Sequence, residues 1–321
     1  MKRSFSRSAD PVLILAPPCT FSWAICAMLG QHPQMYALPE LHLFSAETLA
    51  EWSHLCSRES YQMDHGLVRT VAELYFGTQS EYTVTRARGW LRRRGHFNTS
   101  LVLEMLAERV CPLVVVEKSP SIVYRLESLK RAFAMFPDAR FIHLLRHPRT
   151  YGESVMQALH DLDRAQPLPQ SHWLRHLAAY PQSIAIEASD DVGLDPQWGW
   201  YSLNMRILEF LRSVPQNQQR TVRGEDLLAD LNGRIVETLA WLGLRTDPEA
   251  VDEMKHPERS PYSCQGPASA QFGSDLFLFP GPILRPDWVG CPSLEGPLSW
   301  REDGQGFSSE VKQLATQFGY Q

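Results

Sequence analysis

The chain runs to 321 residues, with 31 Lys and Arg against 36 Asp and Glu, a formal net charge of −5. Hydrophobic residues make up 44% and charged residues 21%, with 23 Pro and 19 Gly, which excludes a mainly disordered, collagen-like or coiled-coil chain. The acidic balance argues against a dedicated nucleic-acid binder, since those show a basic excess, and the length allows one large α/β domain or two small ones.

Lys2, Arg3 and Arg7 precede the first apolar run, Val12-Leu13-Ile14-Leu15-Ala16. That run is far short of the roughly 18 residues of a membrane span. Pro17-Pro18 stands where a secretory signal would have small residues for cleavage. Residues 1–10 therefore read as a flexible tail before a buried strand. The six cysteines, at 19, 26, 56, 111, 264 and 291, form no C-x-x-C. The expectation is a reducing, cytoplasmic protein with no disulfide scaffold, no structural zinc and no metal site.

Four short runs read as strands: Val12–Ala16, Leu113–Glu117, Arg140–Leu145 and Arg220–Arg223. They are β-branched or leucine-rich and do not alternate, as expected of parallel strands covered on both faces. Helical spacing lies between them. Ile122, Leu126, Leu129, Phe133 and Phe136 step by three and four, and so do Leu228, Leu231, Ile235, Leu239 and Leu242. Ser119-Pro120, Asp195-Pro196 and Asp247-Pro248 place a capping residue before a first-turn proline. The pattern predicts an α/β fold, a parallel sheet flanked by helices, with ligands at the carboxyl ends of the strands. Two irregular regions, about 163–200 and 256–300, read as a loop-rich lid. The second carries eight Pro and five Gly among large apolar residues that a solvated linker rarely holds.

Three places can carry chemistry. The first strand is followed by Ala16-Pro17-Pro18-Cys19-Thr20-Phe21-Ser22-Trp23, a turn with two hydroxyls leading into a helix. Unpaired amides at a helix start make an anion cradle, although a plain connection reads the same way. The Walker pattern G-x-x-x-x-G-K-[ST] is absent, which sets a P-loop kinase aside. The next place is Glu117-Lys118-Ser119-Pro120, where a Lys at a strand end can meet charge developing on a transferred group. Arg146-His147-Pro148-Arg149 follows another strand, with Ser154 eight residues beyond Arg146. The planar fork of Arg suits phosphate. Taken singly, these are equally a surface ion pair and a solvated basic turn.

Taken together, a hydroxyl-bearing first turn, K-[ST]-x at a second strand end and R-x-P-x5-S at a third resemble the sulfotransferases that use 3′-phosphoadenosine-5′-phosphosulfate, PAPS. The resemblance covers almost the whole chain. It includes His32-Pro33 with Leu38-Pro39-Glu40-Leu41-His42-Leu43, the stretch Phe136–Arg149, and Val222-Arg223-Gly224-Glu225-Asp226-Leu227-Leu228. The ending Gly296-Pro297-Leu298-Ser299-Trp300 and Phe318-Gly319-Tyr320 is similar to sulfotransferase domains of natural-product assembly lines of the curacin type.

The resemblance implies a P-loop-NTPase-like parallel sheet and a single sulfotransferase-like domain over residues 11–321. It makes Cys19, Thr20, Phe21, Ser22 and Trp23 the 5′-phosphosulfate loop. It makes Arg146 and Ser154 ligands of the 3′-phosphate, and Lys118 the cation at the sulfuryl group. Glu40 stands where tyrosylprotein sulfotransferases place a catalytic carboxylate, and His256 is the other candidate base. The expected activity moves a sulfuryl group from PAPS, leaving 3′-phosphoadenosine-5′-phosphate (PAP), to a hydroxyl in preference to an amine. The acceptor would be a small molecule or be bound to a carrier protein. Neither nucleic acid nor membrane is expected as a partner, and a homo-oligomer stays open. The alternative is a degenerate sulfotransferase fold that binds without transfer.

Three departures bear on the chemistry, and the first of them, Cys19, favours that alternative. Relatives mostly have Arg or Lys at the position of Cys19, Gly at Phe21, and Thr or Ser at Trp23. A thiol with a reference pKa of about 8.5 supplies no positive charge there. Gly224 stands where several relatives have an aromatic residue at the adenine. Two clusters remain. Arg86, Arg88, Arg92, Arg93 and Arg94 form either a docking patch for an acidic partner or a solvated helix face, the second being favoured. Trp198, Trp200 and Tyr201 either line a pocket or pack a helix core, with packing favoured.

Overall fold

Val12-Leu13-Ile14-Leu15 offers no polar face, and in the computed structural model of the chain all four residues are buried as strand β1 (Val12–Leu15). The structure describes residues 10–59, 63–164, 195–230, 232–273 and 292–321. Residues 1–9 of the expected tail, 165–194 and 274–291 of the irregular regions, Leu231 and Cys291 lie outside the described residues.

Strand β1 sits in the middle of a five-stranded sheet. The other strands are β2 (Met35–Ala37), β3 (Val114–Glu117), β4 (Arg140–Leu145) and β5 (Gln219–Arg223). Their order is β2-β3-β1-β4-β5, and every pairing is parallel. Val12 faces Val116 on one side and Arg140 on the other, which fixes the register of the three central strands. Successive side chains of a strand point to opposite faces. Leu13 and Leu15 accordingly join a core with Phe141, Leu203 and Phe210, while Val12 and Ile14 join another with Ile25, Ile142 and Leu239.

The helices cover both faces. They are α1 (Ser22–Gln31), α2 (Leu49–Glu59), α3 (His65–Phe76), α4 (Glu81–Arg92), α5 (Thr99–Val110), α6 (Leu126–Met135), α7 (Pro148–Arg164), α8 (Pro196–Leu211), α9 (Gly224–Ala229), α10 (Arg234–Leu242), α11 (Pro248–Glu253) and α12 (Ser309–Gln317). A third cluster packs Leu145, Tyr151 and Trp200 against Phe307, Val311 and Leu314 near the C-terminal end. Among the described residues, no helix is long and apolar enough to cross a membrane.

Several expectations change in detail. Strand β2 was not expected. It has three residues and a tyrosine in the middle, too little for a periodic signal. The run from Ile122 to Phe136 is not one helix. A 3-10 turn, Pro120–Val123, is followed by extended Arg125, and only then does α6 begin. The run from Leu228 to Leu242 is split as well, between α9 and α10, where the Asp230 carboxylate accepts from the Gly233 amide at 2.8 Å. Asp195 and Asp247 do cap α8 and α11. Ser119 does not cap: its hydroxyl donates to Glu117 and accepts from the His42 amide.

Candidate active site

The carboxyl ends of β1, β2, β3 and β4 lie at one edge of the sheet because the strands are parallel. That edge gathers the three sequence motifs. The turn after β1 is tight. Cys19 and Phe21 both take φ of 61°, a left-handed conformation that side chains resist by roughly 1–2 kcal/mol each. The buried Thr20 hydroxyl donates to the Pro17 carbonyl at 2.6 Å, so its proton stays inside the turn. Ser22 is the first residue of α1, and half-buried Trp23 follows it.

Arg146 leaves the end of β4 and reaches into this turn. Its Nη1 donates to the Cys19 carbonyl at 2.6 Å and its Nε to Thr150 Oγ1 at 3.1 Å. Its guanidinium lies 4.1 Å from the centre of the Phe21 ring. Such contact with an aromatic face is worth about 0.5–2 kcal/mol. Its Nη2 makes no hydrogen bond with the described residues. A Cβ on Gly224 would stand 2.9 Å from Phe21 Cδ2, so the missing side chain at 224 is what admits the Phe21 ring. Ser154 is half-buried, at the seventh position of α7, about 9 Å of helical rise beyond Pro148.

Behind Arg146, the His147 amide donates to Glu225 Oε1 at 2.7 Å, and Tyr320 donates to Glu225 Oε2 at 3.0 Å. Burial pushes the Glu225 carboxyl up from the usual carboxylate range. Arg149 donates to the carbonyls of Ser293, Glu295 and Pro297 at 2.8–3.0 Å and so ties that segment to the start of α7.

The second group gathers at the ends of β2 and β3. Buried Lys118 Nζ lies 2.5 Å from Glu40 Oε1. Glu40 Oε2 faces His42 Nε2 at 3.6 Å. Ser45 donates to Ser121 Oγ, whose hydroxyl meets His42 Nδ1 at 2.8 Å. With Nδ1 accepting, the imidazole proton sits on Nε2, toward Glu40. Glu117, wholly buried, accepts from Ser119, and burial raises its pKa. A cleft of about 330 Å³, solvent-filled mouth included, opens beside Lys118 and is walled by Trp23, Leu38, Pro39, Ser260 and Tyr262. The Cys26 thiol also lines it, but burial pushes that thiol up to about 12, so it stays protonated.

The sequence matches the model of the Sulfotransferase family over residues 11–248. The chain belongs to the sulfotransferase family. Its α/β architecture, five parallel strands flanked by helices, is the sulfotransferase fold. The sulfotransferase domain from the curacin biosynthetic pathway is 20% identical, superposes with a TM-score of 0.73, and matches over 98% of this chain and 99% of that one. The sulfotransferase domain of the Synechococcus PCC 7002 olefin synthase is 21% identical with a TM-score of 0.70, over 100% and 98% of the two chains. No curated protein matches the sequence.

Of the sulfotransferase residues expected from the sequence, the structure joins Arg146 to Cys19 and Phe21, and Lys118 to Glu40. It does not join His256 to either group. That ring is half-exposed, with Nδ1 2.9 Å from Glu258 Oε1. Trp200 is fully buried and donates to the Arg146 carbonyl at 2.8 Å, so it packs the core. The arginine cluster is partly consumed: Arg86 stacks on Phe76, Arg94 on Trp90, and Arg88 pairs with Asp64. Sequence reasoning did not single out His42, Ser121 or Tyr262. The only trace of His42 and Ser121 was a polar residue in Leu38–Leu43 and a second serine in K-S-P-S. Among the described residues, no group of three or more acidic, His or Cys side chains could hold a metal ion.

Proposed function

We propose that this member of the family is a PAPS-dependent sulfotransferase acting on a hydroxyl of a small-molecule or carrier-bound acceptor. The observation that carries the reading is the Lys118–Glu40 pair, a cation and a carboxylate 2.5 Å apart at the strand ends, beside an open cleft. In this reading the first amides of α1 and Ser22 hold the 5′-phosphosulfate, with Thr20 shaping the turn. Arg146, through its remaining Nη2, and Ser154 hold the 3′-phosphate. The acceptor oxygen attacks sulfur in line as the bond from sulfur to the 5′-phosphate oxygen breaks. Lys118 stabilises the charge left on that phosphate, and PAP departs with the electron pair. Glu40 takes the acceptor's proton, and His42 donates toward the carboxylate's other oxygen. Glu40 has precedence over His256 as base because it stands with Lys118. By likeness to the curacin domain the reading extends to a natural-product setting, and on the cysteine usage to the cytoplasm. The test is mass spectrometry of products formed from PAPS with a panel of alcohols and amines. A gain of one sulfuryl group on an alcohol supports the reading, and unchanged acceptors throughout oppose it.

A second reading, a binding module without transfer, is favoured by Cys19 alone. Arg146 weakens it by bringing a guanidinium to the Cys19 carbonyl. If the enzyme reading holds, Cys19→Ser is nearly neutral and Cys19→Arg tightens PAPS binding or raises turnover. Loss of transfer in Cys19→Ser with PAPS still bound would assign the thiol a specific role.

A further inference from the structure

Glu40 is held by its backbone as well as by its side chain. Its amide donates to the Gly273 carbonyl at 2.8 Å. A Cβ on Gly66, the second residue of α3, would run into the Glu40 carbonyl oxygen and stand 2.8 Å from its carbon. A Cβ on Gly273 would run into the backbone of Gly66, and Gly273 has a φ of 94° that suits glycine. Three remote segments, at residues 40, 66 and 273, thus meet with no side chain between them.

The segment that brings Gly273 there lacks regular structure apart from a 3-10 turn at Ala268–Ala270. It is gripped from α3 by Arg69, one helical turn beyond Gly66. Arg69 is fully buried, and two backbone carbonyls of this segment are among its acceptors. Its Nη2 donates to the Cys264 carbonyl at 2.7 Å, its Nη1 to the Phe272 carbonyl at 3.1 Å, and its Nε to Gln79 Oε1 at 2.6 Å. His65 adds a flat stack on the Phe272 ring, 5.7 Å between centres, and its Nδ1 accepts from the Phe272 amide. A buried guanidinium is costly without acceptors. Carbonyls of the 264–272 segment supply them, so the arginine and the segment hold each other in place. Tyr262 and Gly273, at either end of that stretch, wall the cleft beside Lys118.

We propose that Arg69 is a positioning residue for Glu40. It fixes the 264–272 segment, which sets Gly273 and, through the Gly273 carbonyl, the backbone of the proposed base. The inference rests on the reading of Glu40 as base. Misplacing a reacting group by about 1 Å can cost on the order of 10²-fold in rate. Lys keeps the charge but has no fork to bridge two carbonyls.

The experiment takes the full chain and Arg69→Lys through three measurements. These are PAP affinity by calorimetry, kcat and KM for an acceptor across pH, and hydrogen exchange of the peptide containing Glu40. We expect the variant to bind PAP within twofold of wild type, lose at least tenfold in kcat, and exchange the Glu40 amide faster. The acid limb of its pH profile should also move. Arg69→Gln, which can still reach one carbonyl, should be at least as impaired. Wild-type kcat, an unmoved pH profile and unchanged exchange at Glu40 in Arg69→Lys would overturn the proposal. If the wild type transfers nothing, the reading of the function has failed, while the exchange measurement still decides whether Arg69 sets the Glu40 backbone. An equal loss of PAP affinity and kcat, with general loss of protection, would show plain destabilisation and also overturn it.

Discussion

The turn after β1 and the junction around Glu40 both require a crowded backbone, and they reach it in opposite ways. In the turn, Cys19 and Phe21 adopt a left-handed φ with side chains present, and the room for the Phe21 ring is made across the fold by Gly224. In the junction, glycines stand at the contacts themselves, Gly66 against Glu40 and Gly273 against Gly66. The turn carries Phe21 on a strained backbone, and the ring it presents supports Arg146, at 4.1 Å. The junction dispenses with side chains because it has only to hold a backbone in place. The donor side should therefore respond to changes in side-chain size and charge, and the base side to changes in backbone spacing or in the carboxylate.

The largest expected effect is on the base side. Glu40→Gln keeps the shape and removes the base, so turnover should fall by about 10²–10⁴-fold, with PAP affinity nearly unchanged in calorimetry. An active Glu40→Gln beside a dead His256→Ala would move the base to His256. Next is the donor side. Arg146→Ala should weaken PAP binding by about tenfold or more, since a charged hydrogen bond contributes about 1.5–3 kcal/mol. Adenosine 5′-phosphate, which lacks the 3′-phosphate, should bind wild type far more weakly than PAP. Equal PAP affinity in Arg146→Ala and wild type would remove Arg146 from the site.

A smaller effect tests the pairing of Phe21 with Gly224. Gly224→Ala sets a Cβ against Phe21 and 3.2 Å from the Leu145 carbonyl oxygen. Overpacking of this kind costs about 1–3 kcal/mol, read as a lower melting temperature, and Phe21→Leu should recover part of it. Two independent, additive losses would separate the positions.

The smallest effect is acid sensitivity, which both regions share. Burial lowers His147, beside Arg146, and His65, against Phe272, to about 4. A histidine with a lowered pKa is neutral in the folded chain, whereas the unfolded chain takes up its proton near the ordinary value of about 6.5. Its contribution to stability is whole above that pH and is lost progressively as pH falls toward about 4. The melting temperature should fall over that window, and His65→Gln or His147→Gln should each flatten part of the slope.

Much of the sheet was legible because β1, β3 and β4 are buried on both faces and carry no alternation to confuse them. Strand β5 was found too, although its side chains are largely half-exposed. Strand β2 was not, since three residues carry no period, and that strand is what delivers Glu40 to Lys118. The motifs placed Lys118 and Arg146 at strand ends, where the structure has them. The hydrogen bonds of His42 with Ser119 and Ser121 depend on side chains nearly 80 residues apart, and no local pattern records them. The Gly66–Gly273 contact was invisible for the same reason. A glycine early in a helix and one in a loop look ordinary until the chain brings them together.

The Glu225 carboxylate joins the amide of residue 147 to the hydroxyl of residue 320, spans of 78 and 95 residues along the chain. Helical turns close within about a microsecond, whereas contacts of long sequence separation slow folding because their entropy must be lost before they are gained. The backbone just behind Arg146 is thus fastened by bonds between distant parts of the chain, as is the Lys118–Glu40 pair with its span of 78 residues. Both halves of the site are therefore completed by contacts across the chain and by none that lies within a single element. A chain with its helices formed and those contacts unmade would hold neither the anchor of Arg146 nor the Lys118–Glu40 pair.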